Sequence, residues 1–170
     1  MKSLYSVAIC VFALLQFSCN QNQTKNTPVK ISDQGVNIAY SDTNKGDTTL
    51  LFVHGWGINR GYWSNQVSFF DKKYRVVAID LPGFGESGKN RTVWNTEAYG
   101  KDIDSVISQL KLKNVVLIGH SMAGDIVLQA AANPQVIAFV GVDNFKNVGY
   151  IPTAKDKKDE ADAASDQNIN

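Results

Sequence analysis

One serine carries the chemistry that this sequence advertises. Ser121 stands in the run Gly119-His120-Ser121-Met122-Ala123-Gly124. A serine hydroxyl is a weak nucleophile at neutral pH and attacks an acyl carbon only when a base takes its proton. The chain has two histidines, His54 and His120, and neither lies downstream of Ser121. The residue types therefore point to covalent acyl chemistry at one hydroxyl, with no histidine following it.

The elements around the serine decide whether the motif means anything. Asn114-Val115-Val116-Leu117-Ile118 is a continuous apolar run of the kind that forms a strand buried on both faces. Asp125 to Ala132 (DIVLQAAA) has helical apolar spacing, and Asn133-Pro134 stops it. A serine between such a strand and helix sits on a nucleophile elbow, a strained turn tolerated only among tiny neighbours. Gly119, Ala123 and Gly124 supply that smallness, with Ala123 at the last glycine of the usual G-x-S-x-G. Asp125, on the helix, is expected to face a neighbouring loop or solvent.

Two motifs precede the elbow. Thr49 to Val53 reads as a strand and runs into His54-Gly55-Trp56-Gly57, a loop whose backbone N–H groups can stabilise an oxyanion. Arg75 to Asp80 reads as another strand and runs into Leu81-Pro82-Gly83-Phe84-Gly85-Glu86-Ser87-Gly88. The latter spells G-x-G-x-x-G, but a dinucleotide fingerprint must open a helix that holds the pyrophosphate. Lys89-Asn90-Arg91-Thr92 follows instead, with no helical pattern until about Asn95. Tight turns, not a nucleotide site, are expected there.

HGWG, DLPGFGESG and GHSMAG, in that order and each after an apolar strand, resemble the α/β-hydrolase family over roughly residues 36–143. The resemblance implies that Ser121 is the nucleophile and that the backbone N–H groups of Trp56 and Met122 form the oxyanion hole. It casts His54, with Gly55 and Gly57, as support for that loop, and His120 as a structural residue turned away from Ser121. Trp56, Phe84 and Met122 would wall an apolar pocket. The family's acid normally follows the seventh strand and its histidine the eighth, positions that would fall beyond Asn170. A minority of members place the acid after the sixth strand, where Asp143 follows the apolar run Val136 to Val142. The expected function is a serine hydrolase acting on an ester or related acyl bond, inactive or very weak as this chain stands. The alternative is a catalytically dead module that binds a small ligand. Neither reading needs a cofactor, and no metal-ligand cluster is evident.

The remaining pattern implies an α/β fold: a doubly wound, mostly parallel sheet, incomplete at its C-terminal side by two strands and their helices. Val36 to Tyr40 alternates like an early strand and is expected to pair with Leu50 to Val53 through a turn at Asp42 to Asp47. Tyr62 to Phe70 and Thr96 to Leu110 have helical spacing, the first with Trp63, Val67 and Phe70 on one side. Without further strands, Val136 to Val140 would form an uncharged edge prone to self-pairing or to pairing with a complementing C-terminal fragment.

The N-terminus reads separately. Met1-Lys2, an apolar run from Leu4 to Phe17, and Ser18-Cys19 followed by polar residues resemble a bacterial lipoprotein signal. The organisation expected is an export signal at 1–18, a lipid-anchored tether at 19–30, the hydrolase core at 31–145, and a charged tail or cap start at 146–170. Cys19 would bear the lipid and hold the protein to a membrane; an ordinary cleaved signal is the other reading. Cys10 would leave with the signal, so no intramolecular disulfide is expected. A net charge of +1 gives no pull toward nucleic acid.

Overall fold

The computed structural model describes residues 35–144, the backbone of Val29–Lys30, and Lys155. Cys19, the whole of the signal, the tether apart from Val29–Lys30, and all but Lys155 of the charged tail lie outside the described residues. The strands are β1 (Val29–Lys30), β2 (Asn37–Ile38), β3 (Tyr40–Asp42), β4 (Thr49–Val53), β5 (Arg75–Ile79), β6 (Val115–His120) and β7 (Val136–Val142). The helices are α1 (Ser64–Phe70), α2 (Thr96–Gln109) and α3 (Met122–Gln129), with a 3-10 turn at Arg60–Trp63.

Strands β3 to β7 form one sheet in the order β3-β5-β4-β6-β7, and β1 pairs with β2 beside it. β4, β5, β6 and β7 run parallel, and β3 alone runs antiparallel, against β5. Parallel neighbours need helical crossovers on the sheet faces, so their strands are apolar on both sides. β4 fits this rule: Thr49 to Val53 are all buried. On one face Leu51, Val77, Ile79 and Leu117 meet Tyr99, Ile103 and Val106 of α2 and Ile126 and Val127 of α3. On the other, Leu50, Phe52, Val76 and Ala78 meet Trp63, with Val67 and Phe70 of α1 packed against them. Each fully buried Ile or Val contributes roughly 1.5–3 kcal/mol. Asn95 caps α2 by accepting the Ala98 N–H at 2.8 Å, which explains why that helix begins where its apolar stripe begins.

The early strand does not make the expected hairpin. Tyr40, Ser41 and Asp42 pair with Ile79, Ala78 and Val77, and β4 sits between β5 and β6 with no free edge to offer. Polar contacts fix this choice. Arg75 donates to both Asp42 carboxylate oxygens at 3.0 and 2.6 Å, while the Thr43 N–H and Oγ1 bond to the Val76 backbone at 3.0 and 2.8 Å. At the other end of the sheet, β7 occupies the edge among the described strands. Ile137, Phe139 and Val140 are 61, 46 and 45 % exposed, and no charged residue interrupts the strand.

Candidate active site

The loops at the C-terminal ends of β4, β5, β6 and β7 build the site. Ser121 follows β6 with φ 51° and ψ −120°, a conformation costing a non-glycine residue about 1–3 kcal/mol. That single strained residue makes the whole turn, so α3 starts at Met122 and not at Asp125 as its apolar spacing suggests. The helix also ends earlier, at Gln129, with Ala130 as its cap. Asp125 is exposed.

The strain persists because neighbours over-determine it. The Ser121 N–H donates to Val142 O of β7 at 2.9 Å, and the Gly124 N–H donates to Ser121 O at 2.9 Å. Asn144 Nδ2 donates to the same Ser121 carbonyl at 3.3 Å. Any Cβ at Gly119 would collide with the Ala123 carbonyl, and one at Gly124 with the Asn144 side chain. Ala123 itself is fully buried, so its one methyl fits where the usual motif has a glycine.

The loop after β4 packs directly on the elbow. A Cβ placed on Gly55 would lie 2.7 Å from His120 Nδ1 and 3.2 Å from Ser121 Cβ. Trp56 is next in that loop, and Gly57 turns it with φ +71°. Met122 opens α3, where the first N–H groups lack intrahelical partners. Among the described residues neither the Trp56 nor the Met122 N–H has a hydrogen-bond partner. Trp56 is 66 % exposed, and its ring meets that of Phe84 in an edge contact at 5.3 Å. Met122 is partly buried, as is Phe84.

His54 is fully buried at the start of this loop. Its Nε2 accepts the Leu81 N–H at 3.0 Å, and a backbone N–H can only donate, so Nδ1 carries the proton and donates to Gly55 O at 2.7 Å. Burial lowers its pKa, opposed by the Gly55 bond and by the charge of Asp80 and reinforced by His120. Both ring nitrogens are thereby committed to the backbone. His120 is half-buried and stacks on Tyr62 at 4.9 Å, and its Nδ1 has no hydrogen-bond partner among the described residues. Asp143 follows β7 with φ +49° and is exposed, one residue beyond the carbonyl that holds the Ser121 N–H.

The profile of the family described as alpha/beta hydrolase fold matches residues 48–160, more than half of the chain. The chain belongs to that family. Its relatives include an uncharacterized hydrolase of Bacillus subtilis, YugF, 37 % identical over 99 residues that are 57 % of this chain and 36 % of that protein. Another is a non-heme chloroperoxidase of Streptomyces lividans, 34 % identical over 106 residues, 61 % of this chain and 38 % of that one. Among solved structures, an esterase from Exiguobacterium antarcticum superposes with a TM-score of 0.70 at 28 % identity, over 84 % of this chain and 56 % of the esterase. The chain thus spans under two-fifths of those two relatives and little more than half of the esterase.

One cluster escapes a reading from sequence. Asp80, at the exit of β5, is buried and accepts the Arg60 N–H at 2.7 Å, the Arg60 guanidinium, and the Glu86 N–H at 2.9 Å. Arg60 reaches the Glu86 carboxylate as well. Burial works against the guanidinium's charge, but Glu86 and Asp80 outweigh it and raise its pKa. The signal for this cluster was a lone acid ending an apolar strand just before a Gly-x-Gly turn. The Gly83–Gly88 segment makes turns and no helix, and the Glu86 N–H in it is already taken by the protein's own carboxylate.

Proposed function

We propose that this chain carries the nucleophilic part of a serine hydrolase that cleaves an ester or related acyl bond. The observation that supports this reading is the packing of Gly55 on the elbow, where a Cβ would lie 3.2 Å from Ser121 Cβ, with Trp56 the next residue of that loop. In this reading Ser121 Oγ adds to the acyl carbon and gives its proton to a base. The carbonyl oxygen takes the negative charge and is held by the Trp56 and Met122 N–H groups. Collapse of that adduct expels the alcohol, which takes up a proton, and water then cleaves the acyl-serine. The esterase and hydrolase among the relatives support this chemistry.

The base is not His54, whose two nitrogens are both bonded to backbone. His120 turns its Nδ1 toward Gly55 and its ring face toward Tyr62. Loss of the histidine from a serine enzyme costs about 10⁶ in kcat, roughly 8 kcal/mol of barrier. In this reading these residues support no more than weak turnover, and what there is passes through Ser121. Asp143 is the proposed acid because it follows Val142, whose carbonyl accepts the Ser121 N–H. Export and lipidation at Cys19 complete the reading, on the strength of the N-terminal pattern.

Turnover of p-nitrophenyl acetate by the full chain tests the nucleophile. Ser121→Ala is expected to reduce it to the buffer rate. Turnover that survives the substitution overturns the assignment.

A further inference from the structure

The oxyanion loop runs from His54 to Arg60, and both of its ends are tied to two consecutive residues of the β5 exit. At one end His54 Nε2 accepts the Leu81 N–H at 3.0 Å. At the other the Arg60 N–H donates to Asp80 Oδ1 at 2.7 Å. Trp56 lies between the two ties, and its ring meets Phe84, whose ring also meets His54 edge-on at 5.3 Å. Phe84 belongs to the loop that Asp80 organises. The Asp80 carboxylate takes the Glu86 N–H, and its backbone carbonyl takes the Ser87 hydroxyl at 2.6 Å. The Asp80 N–H donates to Ala39 O at 2.8 Å, fixing the residue to the sheet side of the site.

A buried carboxylate is poor evidence of stabilisation, because well-packed apolar residues often hold a fold equally well. What an apolar side chain cannot do is accept backbone N–H groups from two different loops at once. Asp80 does this for Arg60 and Glu86. The space is shaped for it: Gly85, at φ +50°, lies so close that any side chain there would run into the carboxylate.

We infer that Asp80 is a positioning residue that sets the Trp56 oxyanion donor, by pinning the Arg60 end of its loop against the loop that carries Phe84. This rests on the serine-hydrolase reading above. Asp80 touches no reacting atom; it acts through the backbone of the loop. A donor displaced by about 1 Å can cost about 100-fold, and a whole oxyanion donor about 10²–10³. Removing the carboxylate should therefore weaken transition-state binding while leaving substrate affinity largely in place.

Phenylboronic acid is the probe, because its tetrahedral adduct with a serine places a charged oxygen where the oxyanion forms. Affinity is read by titration calorimetry on the full chain, well below the melting temperature. The wild type is expected to bind, Ser121→Ala not to bind, and Asp80→Ala to bind about 10- to 100-fold more weakly. Asp102→Asn supplies the structural control. It breaks the buried Arg91–Asp102 pair, away from the loop, and should lower the melting temperature without changing boronate affinity. Arg60→Ala keeps the backbone donor to Asp80 and is expected to fall between wild type and Asp80→Ala. If Asp80→Ala does not fold, Asp80→Asn gives the same comparison, since it loses the charge and one acceptor. Affinity that needs Ser121 but is untouched at Asp80 overturns the role given to Asp80. Equal affinity in wild type and Ser121→Ala overturns the serine reading itself.

Discussion

Acid should loosen this fold through His54, and the structure fixes the direction. The imidazole is buried, neutral and bonded at both nitrogens, with Nε2 acting as an acceptor. Protonating Nε2 would turn that acceptor into a second donor facing the Leu81 N–H. Burial is the main reason that its pKa lies below the ordinary value of 6.5. In the unfolded chain the same histidine takes a proton near pH 6.5, so the unfolded state binds more protons below that pH. The contribution of neutral His54 is thus complete above pH 6.5 and is lost as pH falls through the folded pKa. Between the two pKa values the slope approaches about 1.4 kcal/mol per pH unit for one group.

His54→Gln removes the titration and keeps one side-chain acceptor for the Leu81 N–H. His54→Ala removes everything. It leaves the Leu81 N–H unpaired at a cost of about 1–3 kcal/mol and forfeits the Phe84 edge contact, worth about 0.5–1.5 kcal/mol. A loss near 3 kcal/mol is a large part of the 5–15 kcal/mol typical of a domain. Urea unfolding at pH 7.5, 6.5 and 5.5 measures all three proteins. The wild type should lose stability between pH 6.5 and 5.5, with the slope flattened in His54→Gln. An equal slope in His54→Gln would refute the reasoning, because the proton would then be landing elsewhere.

Other perturbations follow from the same geometry. Ser121→Gly should abolish acyl chemistry yet raise stability by about 1 kcal/mol, because glycine relieves the strained elbow; thermal melts check this. Gly119→Ala should cost about 1–3 kcal/mol by driving a methyl into the Ala123 carbonyl, read as a drop in urea midpoint at unchanged m-value. Asp102→Asn should cost about 3 kcal/mol, since it strands a buried guanidinium stacked 4.7 Å from the Trp94 ring and 4.3 Å from the Tyr99 ring. Phe139→Lys, placing a charge on the exposed edge strand, should shift sedimentation of the purified chain toward monomer; unchanged association would exclude β7 as the contact.

The parts legible in the sequence were those that one-dimensional pattern controls. Thr49–Val53 and Val136–Val142 form strands where continuous apolar runs stood, and α2 follows its stripe of Tyr99, Ile103, Val106 and Ile107. The parts that were not legible depend on polar partners far apart in the chain. Tyr40–Asp42 joins β5 because Arg75 and Thr43 bond across that pair, which alternation cannot reveal. The start of α3 was hidden because Ser121 makes the turn in a single residue, whereas apolar spacing registers a helix only after its first turn. Asp80 and Arg60, twenty residues apart, carry no shared motif, and only the folded sheet brings them together.

The most exposed strand of the described sheet is also one that ties down Ser121. β7 pairs with β6 up to His120 and Val142, and the Val142 carbonyl receives the Ser121 N–H. Asn144, just past its end, takes the carbonyl of the same serine. A strained residue keeps its conformation only while its surroundings outweigh the strain, and here two of those ties come from an edge strand with open apolar flanks. Edge strands exchange partners and fray more readily than central ones. Whatever covers Ile137, Phe139 and Val140 therefore also stiffens the elbow, so the geometry of Ser121 and the packing of β7 are one problem. The His54 to Arg60 loop hangs on β4 and β5, which, like β6, have strand partners on both sides. The Ser121 turn is thus held by an interior strand, β6, and by the edge strand β7, and the β7 ties are the ones that a partner along that edge would secure.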